Sequence, residues 1–390
     1  MINYGKQSLD DSDINEVISA LKTDWLTQGP AVENFENNLK EYFGADYVCA
    51  VSNGTAALHL AALSLNFKKD DIILTSPITF LASANCIEYV GATPDFVDID
   101  PFYYTIDPNK IEDKIKSLLN DGKRPKGIIG VDYAGHPCDW EAINHIANKY
   151  EMKLINDNCH ALGASYLGDK SYAVKYANIA THSYHPVKPI TTGEGGSILT
   201  NEKDIYEKVK NLRSHGMTKE PERLEENHGP WYYEMHEIGY NYRITDFQCA
   251  LGSSQLKKLD NFTKRRNDIA KKYNSLFKAQ ELITIPEKSS QVQHAYHLYP
   301  IKIHFDELSI TKKEFFNELN SSGINSQVHY IPVHLQPYYK KKYGFKKGDF
   351  ELSEDFYDKA LSIPIYPLLE DNQVEEVAMK INSLLESKKL

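Results

Sequence analysis

Between residues 47 and 200, short apolar runs alternate with helix-forming segments, and this alternation restricts the fold more than any other feature of the chain. Residues 47–51, 71–75, 94–99, 127–133, 153–158 and 177–184 read as strands. Residues 56–63 and 139–150 read as helices, the second with Trp140, Ile143, Ile146 and Ala147 on one face. Strands separated by helices pair in parallel and need cover on both faces, so an α/β fold with a mostly parallel sheet is expected. No GxGxxG follows any of these strands, which counts against a dinucleotide-dependent oxidoreductase. A chain of 390 residues also exceeds one comfortable core. Past Lys257 the pattern changes to a long charged helix (261–277), a strand (298–303), a helix (311–321) and a strand (327–331). Two domains are expected, a large one over 1–255 and a smaller α+β one over 256–390.

The stretch from His182 to Gly196 is built to hold one lysine. Pro186 and Pro189 fix their own φ, and Pro189 pushes Lys188 away from α geometry. Gly193, Gly195 and Gly196 permit turns or close approaches that a Cβ would forbid. Upstream, the run 154–158 delivers Asp157 to the end of a strand, with His160 three residues on. In an open α/β sheet, ligands bind where the carboxyl ends of the strands meet. A lysine able to condense with an aldehyde, beside an aspartate able to pair with a ring nitrogen, suits pyridoxal 5'-phosphate. Ser52-Asn-Gly-Thr leads from a strand into a helix, and the free N–H groups of such a helix start attract anions, so Gly54 and Thr55 read either as a candidate phosphate cradle or as a common strand–helix turn with a good cap. Phe80 is placed either to stack on a flat ring or to pack in the core.

Elsewhere Ile14, Val17, Ile18 and Leu21 recur at helical spacing after Asp10, Asp11 and Asp13, which predicts an amphipathic helix. Read from the residues alone, Trp25 and Leu26 anchor the following turn in the core. Asn241 and Arg243 read as loop residues that satisfy backbone groups. His329 and His334 lie close, but the intervening proline and the want of a nearby third ligand argue against a metal. The net charge of −10 carries no long run of one sign and argues against nucleic-acid or anionic-membrane binding. The five scattered cysteines read as reduced thiols. No run approaches the ~18 apolar residues of a membrane span, and the cytoplasm is the expected location.

Three ordered motifs carry a resemblance: Asn53-Gly-Thr-Ala-Ala-Leu-His-Leu-Ala, Ser183-Tyr-His-Pro-Val-Lys-Pro-Ile-Thr-Thr-Gly-Glu-Gly-Gly, and Gly239-Tyr-Asn-Tyr-Arg-Ile-Thr-Asp. Together they resemble the sugar-nucleotide aminotransferases of the DegT/DnrJ/EryC1/StrS family. The resemblance implies the aminotransferase fold type I, with a seven-stranded sheet in the large domain, and amino transfer through pyridoxal phosphate held by Lys188. It implies that Gly54, Thr55 and Ser183 hold the cofactor phosphate, that Phe80 covers its ring, that Asp157 meets the ring nitrogen and that His160 lies by the ring hydroxyl or the aspartate. Asn241 would reach the phosphate in a neighbouring subunit, so a homodimer with shared sites is implied. Tyr4, Asp24, Trp25, Leu26, Thr27, Gly54, Ser183, Asn241, Gln327, Val328, His329 and Tyr330 would border the substrate sugar.

Within the family, these motifs and the run from Val328 to Tyr339 are most similar to the branch serving pseudaminic acid biosynthesis. That implies L-glutamate as amino donor and, as acceptor, C4 of a UDP-linked 4-keto-6-deoxy-N-acetylhexosamine. Another keto sugar nucleotide, of the bacillosamine type or linked to dTDP, remains open, as does a non-catalytic protein that only binds the cofactor. Some relatives are dehydratases with histidine in place of the lysine, and Lys188 argues for amino transfer. Relatives commonly carry Glu-Asp where this chain has Asn156-Asp157, so a neighbouring charge is missing while Asp157 stays.

Overall fold

The computed structural model describes residues 1–390. A seven-stranded sheet forms its centre, in the order Tyr47–Val51, Gly196–Thr200, Ile179–Ser183, Lys153–Asp157, Pro125–Val131, Ile72–Thr75, Thr93–Phe96. Only Gly196–Thr200 runs against its neighbours, and the other strands share one direction. Successive strand residues alternate between two cores. Val48, Ala50, Leu74, Ile128, Leu154 and Leu199 pack into one, while Cys49, Val51, Ile73, Ile129, Ile155 and Ile198 pack into the other. Helices cover both faces, so every apolar side of the sheet is removed from water. The strand bounds move by a residue or two from those expected, and the mostly parallel sheet stands.

A second apolar core lies toward the C-terminus. The helices Leu259–Phe277, Lys312–Ser321 and Asp371–Lys388 pack on a three-stranded antiparallel sheet of Ile283–Thr284, Tyr299–Ile303 and Ala360–Ile363. Ile2 belongs to this core and pairs with Ile324. The first residues of the chain therefore lie against its last third, which is what carries Tyr4 to the cleft described below.

Two expectations need correction, and one expected helix packs in a way that periodicity does not specify. The helix Asp11–Leu21 forms, capped by Asp10 and Asp13, but its apolar stripe does not face the core. Asp13 points inward instead, where Ser254, Gln255 and Lys258 satisfy its carboxylate, and Ile14, Ile18 and Leu21 are 51, 41 and 52% exposed. Trp25 and Leu26 are likewise exposed rather than anchored in the core. The expected strand at 327–331 reduces to one bridge between Gln327 and Ser362. Beyond it the carbonyl of His329 accepts from the Tyr133 hydroxyl at 2.6 Å, and the backbone turns away toward the cleft.

Candidate active site

The carboxyl ends of the parallel strands and the start of Gly196–Thr200 meet along one edge of the sheet, because Gly196 is in register with both Val51 and Ser183. A cleft of about 890 Å³ opens there. Its lining includes Gly54, Thr55, Phe80, Asp157, His160, Ser183 and Lys188, together with Tyr4, His329 and Tyr330.

The anion cradle arises from local sequence. Asn53 caps the helix Gly54–Ser64 by accepting from Ala56 N–H at 2.8 Å. The N–H groups of Gly54 and Thr55, in the first turn, have no carbonyl four residues back to bond. A Cβ on Gly54 would stand 2.8 Å from that of Ser183, and one on Gly196 would stand 2.6 Å from the Asn53 carbonyl. Only glycine lets these three segments close around a phosphate-sized group.

Lys188 sits on the loop between Ser183 and Gly196. Tyr184 N–H donates to the Gly195 carbonyl at 2.8 Å, Thr192 N–H donates to the Tyr184 carbonyl at 3.0 Å, and Lys188 N–H donates to the His185 carbonyl at 2.9 Å. Gly193, at φ 82°, makes the turn. Burial lowers the Lys188 amine from its usual basicity, with Cys159 and Asp157 acting in the opposite sense. Asp157 is held by two donors, the Ser83 hydroxyl at 2.6 Å and the Cys159 N–H at 3.3 Å. Ser83 spends its proton on the carboxylate, so it accepts from Thr79 across their 2.7 Å contact. Sequence reasoning missed this chain. Its only trace was a pair of hydroxyls at i and i+4 flanking Phe80.

Phe80 is 55% exposed at the mouth, with its ring 5.9 Å from that of Tyr330. It is a cleft residue and not a core one. Tyr4 and His329 face each other at 5.3 Å between ring centres. His160, His329 and the unforeseen His297 are all buried around Lys188. Burial holds His329 at about 3 and the other two well below the usual imidazole range, with Lys188 adding to the effect, so all three are neutral at pH 7.

Other expected residues stay outside this cleft. Gln327 and Val328 line a neighbouring cavity of about 800 Å³. Asp24, Trp25, Leu26, Thr27 and Asn241 are exposed at the surface. Their two segments are joined: Thr27 pairs with Thr245, and the Asp246 carboxylate accepts from the N–H groups of Gly29 and Ala31.

A phosphate cradle, a lysine of lowered basicity and a fixed carboxylate on one sheet edge together fit pyridoxal phosphate, and they define a pyridoxal-phosphate aminotransferase. The family model described as "DegT/DnrJ/EryC1/StrS aminotransferase family" matches residues 7–382. The chain belongs to that family. It is similar to the UDP-4-amino-4,6-dideoxy-N-acetyl-beta-L-altrosamine transaminase of Campylobacter jejuni (serotype O:23/36, strain 81-176), at 38% identity over all of this chain and 99% of that one. Among solved structures, Helicobacter pylori PseC, an aminotransferase involved in the biosynthesis of pseudoaminic acid, superposes with a TM-score of 0.90 at 32% identity, covering 99% of both chains. A putative sugar aminotransferase of Streptococcus pneumoniae, Spr1654, solved in PLP and PMP forms, superposes with a TM-score of 0.89 at 27% identity over 99% of this chain, and over 99% and 98% of the chains of those forms. The protein is a sugar aminotransferase that works with pyridoxal phosphate. No helix is long and apolar enough to cross a membrane.

Proposed function

We propose that this protein transfers the amino group of L-glutamate to C4 of a UDP-linked 4-keto-6-deoxy-N-acetylhexosamine, in the branch leading to pseudaminic acid. The observation that carries the amino transfer is the convergence of Lys188, Asp157 and the Gly54–Thr55 helix start on one cleft. The finer reading of the sugar is supported by the end-to-end similarity to the Campylobacter transaminase.

When bound, pyridoxal phosphate supplies an electron sink for the charge left as a proton leaves the substrate carbon. The chain does the rest. The N–H groups of Gly54 and Thr55, with the Ser183 hydroxyl, hold the phosphate. Asp157, fixed by Ser83 and Cys159, would meet the ring nitrogen and hold a proton there, since an opposite charge favours the charged form. Phe80, at the mouth of the cleft, would cover one ring face. The Nζ of Lys188, kept toward the neutral amine by burial, accepts the substrate proton and returns it. Tyr4, His329 and Tyr330 border the sugar.

The active unit of this reading is a cytoplasmic homodimer. Asp24–Thr27 and Asn241 serve the cleft of the second copy, which accounts for their position outside their own. The exposed Ile14, Ile18, Leu21 and Trp25 give the second copy an apolar surface to cover. Residues 1–255 and 256–390 are its two domains.

The test begins with the visible spectrum of the loaded protein before and after glutamate, continues with UDP-, GDP- and dTDP-linked keto sugars, and reads the aminated product by mass spectrometry. Bleaching by glutamate followed by amination of the UDP sugar is expected. Preference for a GDP or dTDP sugar would overturn the substrate, and no spectral response to any amino donor would overturn the amino transfer.

A further inference from the structure

His160 and Tyr330 form a pair whose hydrogen positions follow from geometry alone. The backbone N–H of Ala134 lies 3.3 Å from His160 Nδ1. An amide N–H can only donate, so Nδ1 carries no hydrogen and the imidazole holds its proton on Nε2. Nε2 lies 3.1 Å from the Tyr330 hydroxyl oxygen. The imidazole must therefore donate to Tyr330. Burial among Lys188 and His329 disfavours a second proton on His160, and burial also raises the Tyr330 phenol, so neither group changes state in the neutral range.

The consequence falls on the tyrosine. Its oxygen already receives a hydrogen bond, no acceptor in the chain takes its own proton, and the residue lines the cleft with Lys188. We infer that Tyr330 is a hydrogen-bond donor to an acceptor oxygen bound in the cleft, and that His160 is the positioning residue that fixes this direction of donation. The inference rests on the aminotransferase reading. The acceptor is either the ring oxygen of the cofactor or the carbonyl oxygen of the keto sugar, and both ask for the same O–H.

Two measurements separate these sources. On the loaded enzyme without substrate, Tyr330→Phe keeps the ring and loses the donor. If the cofactor oxygen is the acceptor, removing the donor leaves more charge on it, and the titrating proton is held more tightly. The pH midpoint of the visible absorbance change then rises by about one unit, a tenfold change. If the sugar carbonyl is the acceptor, the midpoint stays and only the keto-sugar half-reaction slows, by roughly tenfold or more. His160→Leu should follow Tyr330→Phe in whichever response appears. His160→Gln, whose side-chain N–H reaches the same place, should restore wild-type behaviour. A midpoint and both half-reactions within about twofold of wild type in Tyr330→Phe would overturn the inference. The cofactor-free protein gives a separate reading by nitrogen-15 NMR: a proton on Nε2 of His160 is expected, and one on Nδ1 overturns the inference. Failure of the aminotransferase reading shows instead as a wild-type spectrum unmoved by amino donors, while the NMR arm still reports on the pair.

Discussion

The floor of the cleft and its rim differ in how far a single chain completes them. On the floor, Gly54, Thr55, Asp157, His160, Ser183 and Lys188 come from three strand ends, yet the sheet brings them into one cavity. At the rim, Asp24–Thr27 and Asn241 are stapled together through Thr245 and Asp246 but stay exposed outside it. The motifs behind the two regions are equally plain in the sequence. What separates them is burial: floor residues sit at or just past the ends of strands enclosed on both faces, whereas rim residues sit beside apolar side chains that nothing in the same chain covers. Equally plain motifs thus end in a completed cavity where the sheet encloses them and outside it where it does not.

The comparison can be broken by separating the two regions genetically. Lys188→Ala, a floor variant, should lower the half-reaction with the proposed donor glutamate by roughly 10⁴-fold, since it removes the group proposed to move the proton. Asn241→Asp, a rim variant, sets a negative charge against the phosphate that Asn241 is proposed to meet, and should cost roughly a hundredfold. If rim residues serve the second copy, mixing the two variants after reversible dissociation restores about a quarter of wild-type activity, because half of the dimers carry one intact site. Turnover by the mixture no higher than that of the separate variants would place the rim with its own chain.

Acid should reach the buried parts before the exposed rim. His182 and His329 titrate near 3 and His136 near 4, against about 6.5 when unfolded, each held down by burial. Between these values the unfolded chain binds more protons, so stability is present above about 6.5 and declines as the pH falls. Each such histidine lowers the folding equilibrium about fortyfold to fiftyfold between pH 6.5 and 4.5. Denaturant titrations at the two pH values measure this, and His182→Phe should flatten the dependence. A smaller effect sharpens the account of the floor. Ser83→Ala removes one of the two donors to Asp157 and should slow the half-reaction about tenfold, as loss of a hydrogen bond to a charged group does. The smallest is Phe80→Leu. Loss of ring stacking at the mouth should weaken cofactor affinity roughly two- to tenfold, measured by equilibrium binding.

Much of this was legible beforehand. The alternation of strands and helices specified the sheet, and the lysine loop with its prolines and glycines marked the floor, because those features act over a few residues. The helix Asp11–Leu21 was legible as a helix but not in its orientation, since periodicity marks an apolar face without saying what covers it. Asp13 was better satisfied inside than Ile14 was, through partners some 241 residues away in sequence. The Thr79–Ser83–Asp157 chain and His297 depend on contacts between distant segments and left no spacing to read. The tautomer of His160 was likewise invisible, because a backbone amide decides it.

The single reversed strand has a kinetic meaning. Parallel neighbours need a crossover of a dozen or more residues, usually a helix, but Ser183 and Gly196 lie side by side in an antiparallel pair and are joined by the loop alone. Register closes that loop at its base, and its internal hydrogen bonds order the rest as the sheet forms. The conformational entropy of the lysine loop is thus lost during folding and not at the moment a ligand arrives. Cofactor capture should then proceed without a slow ordering phase, as a single exponential whose rate rises in proportion to cofactor concentration.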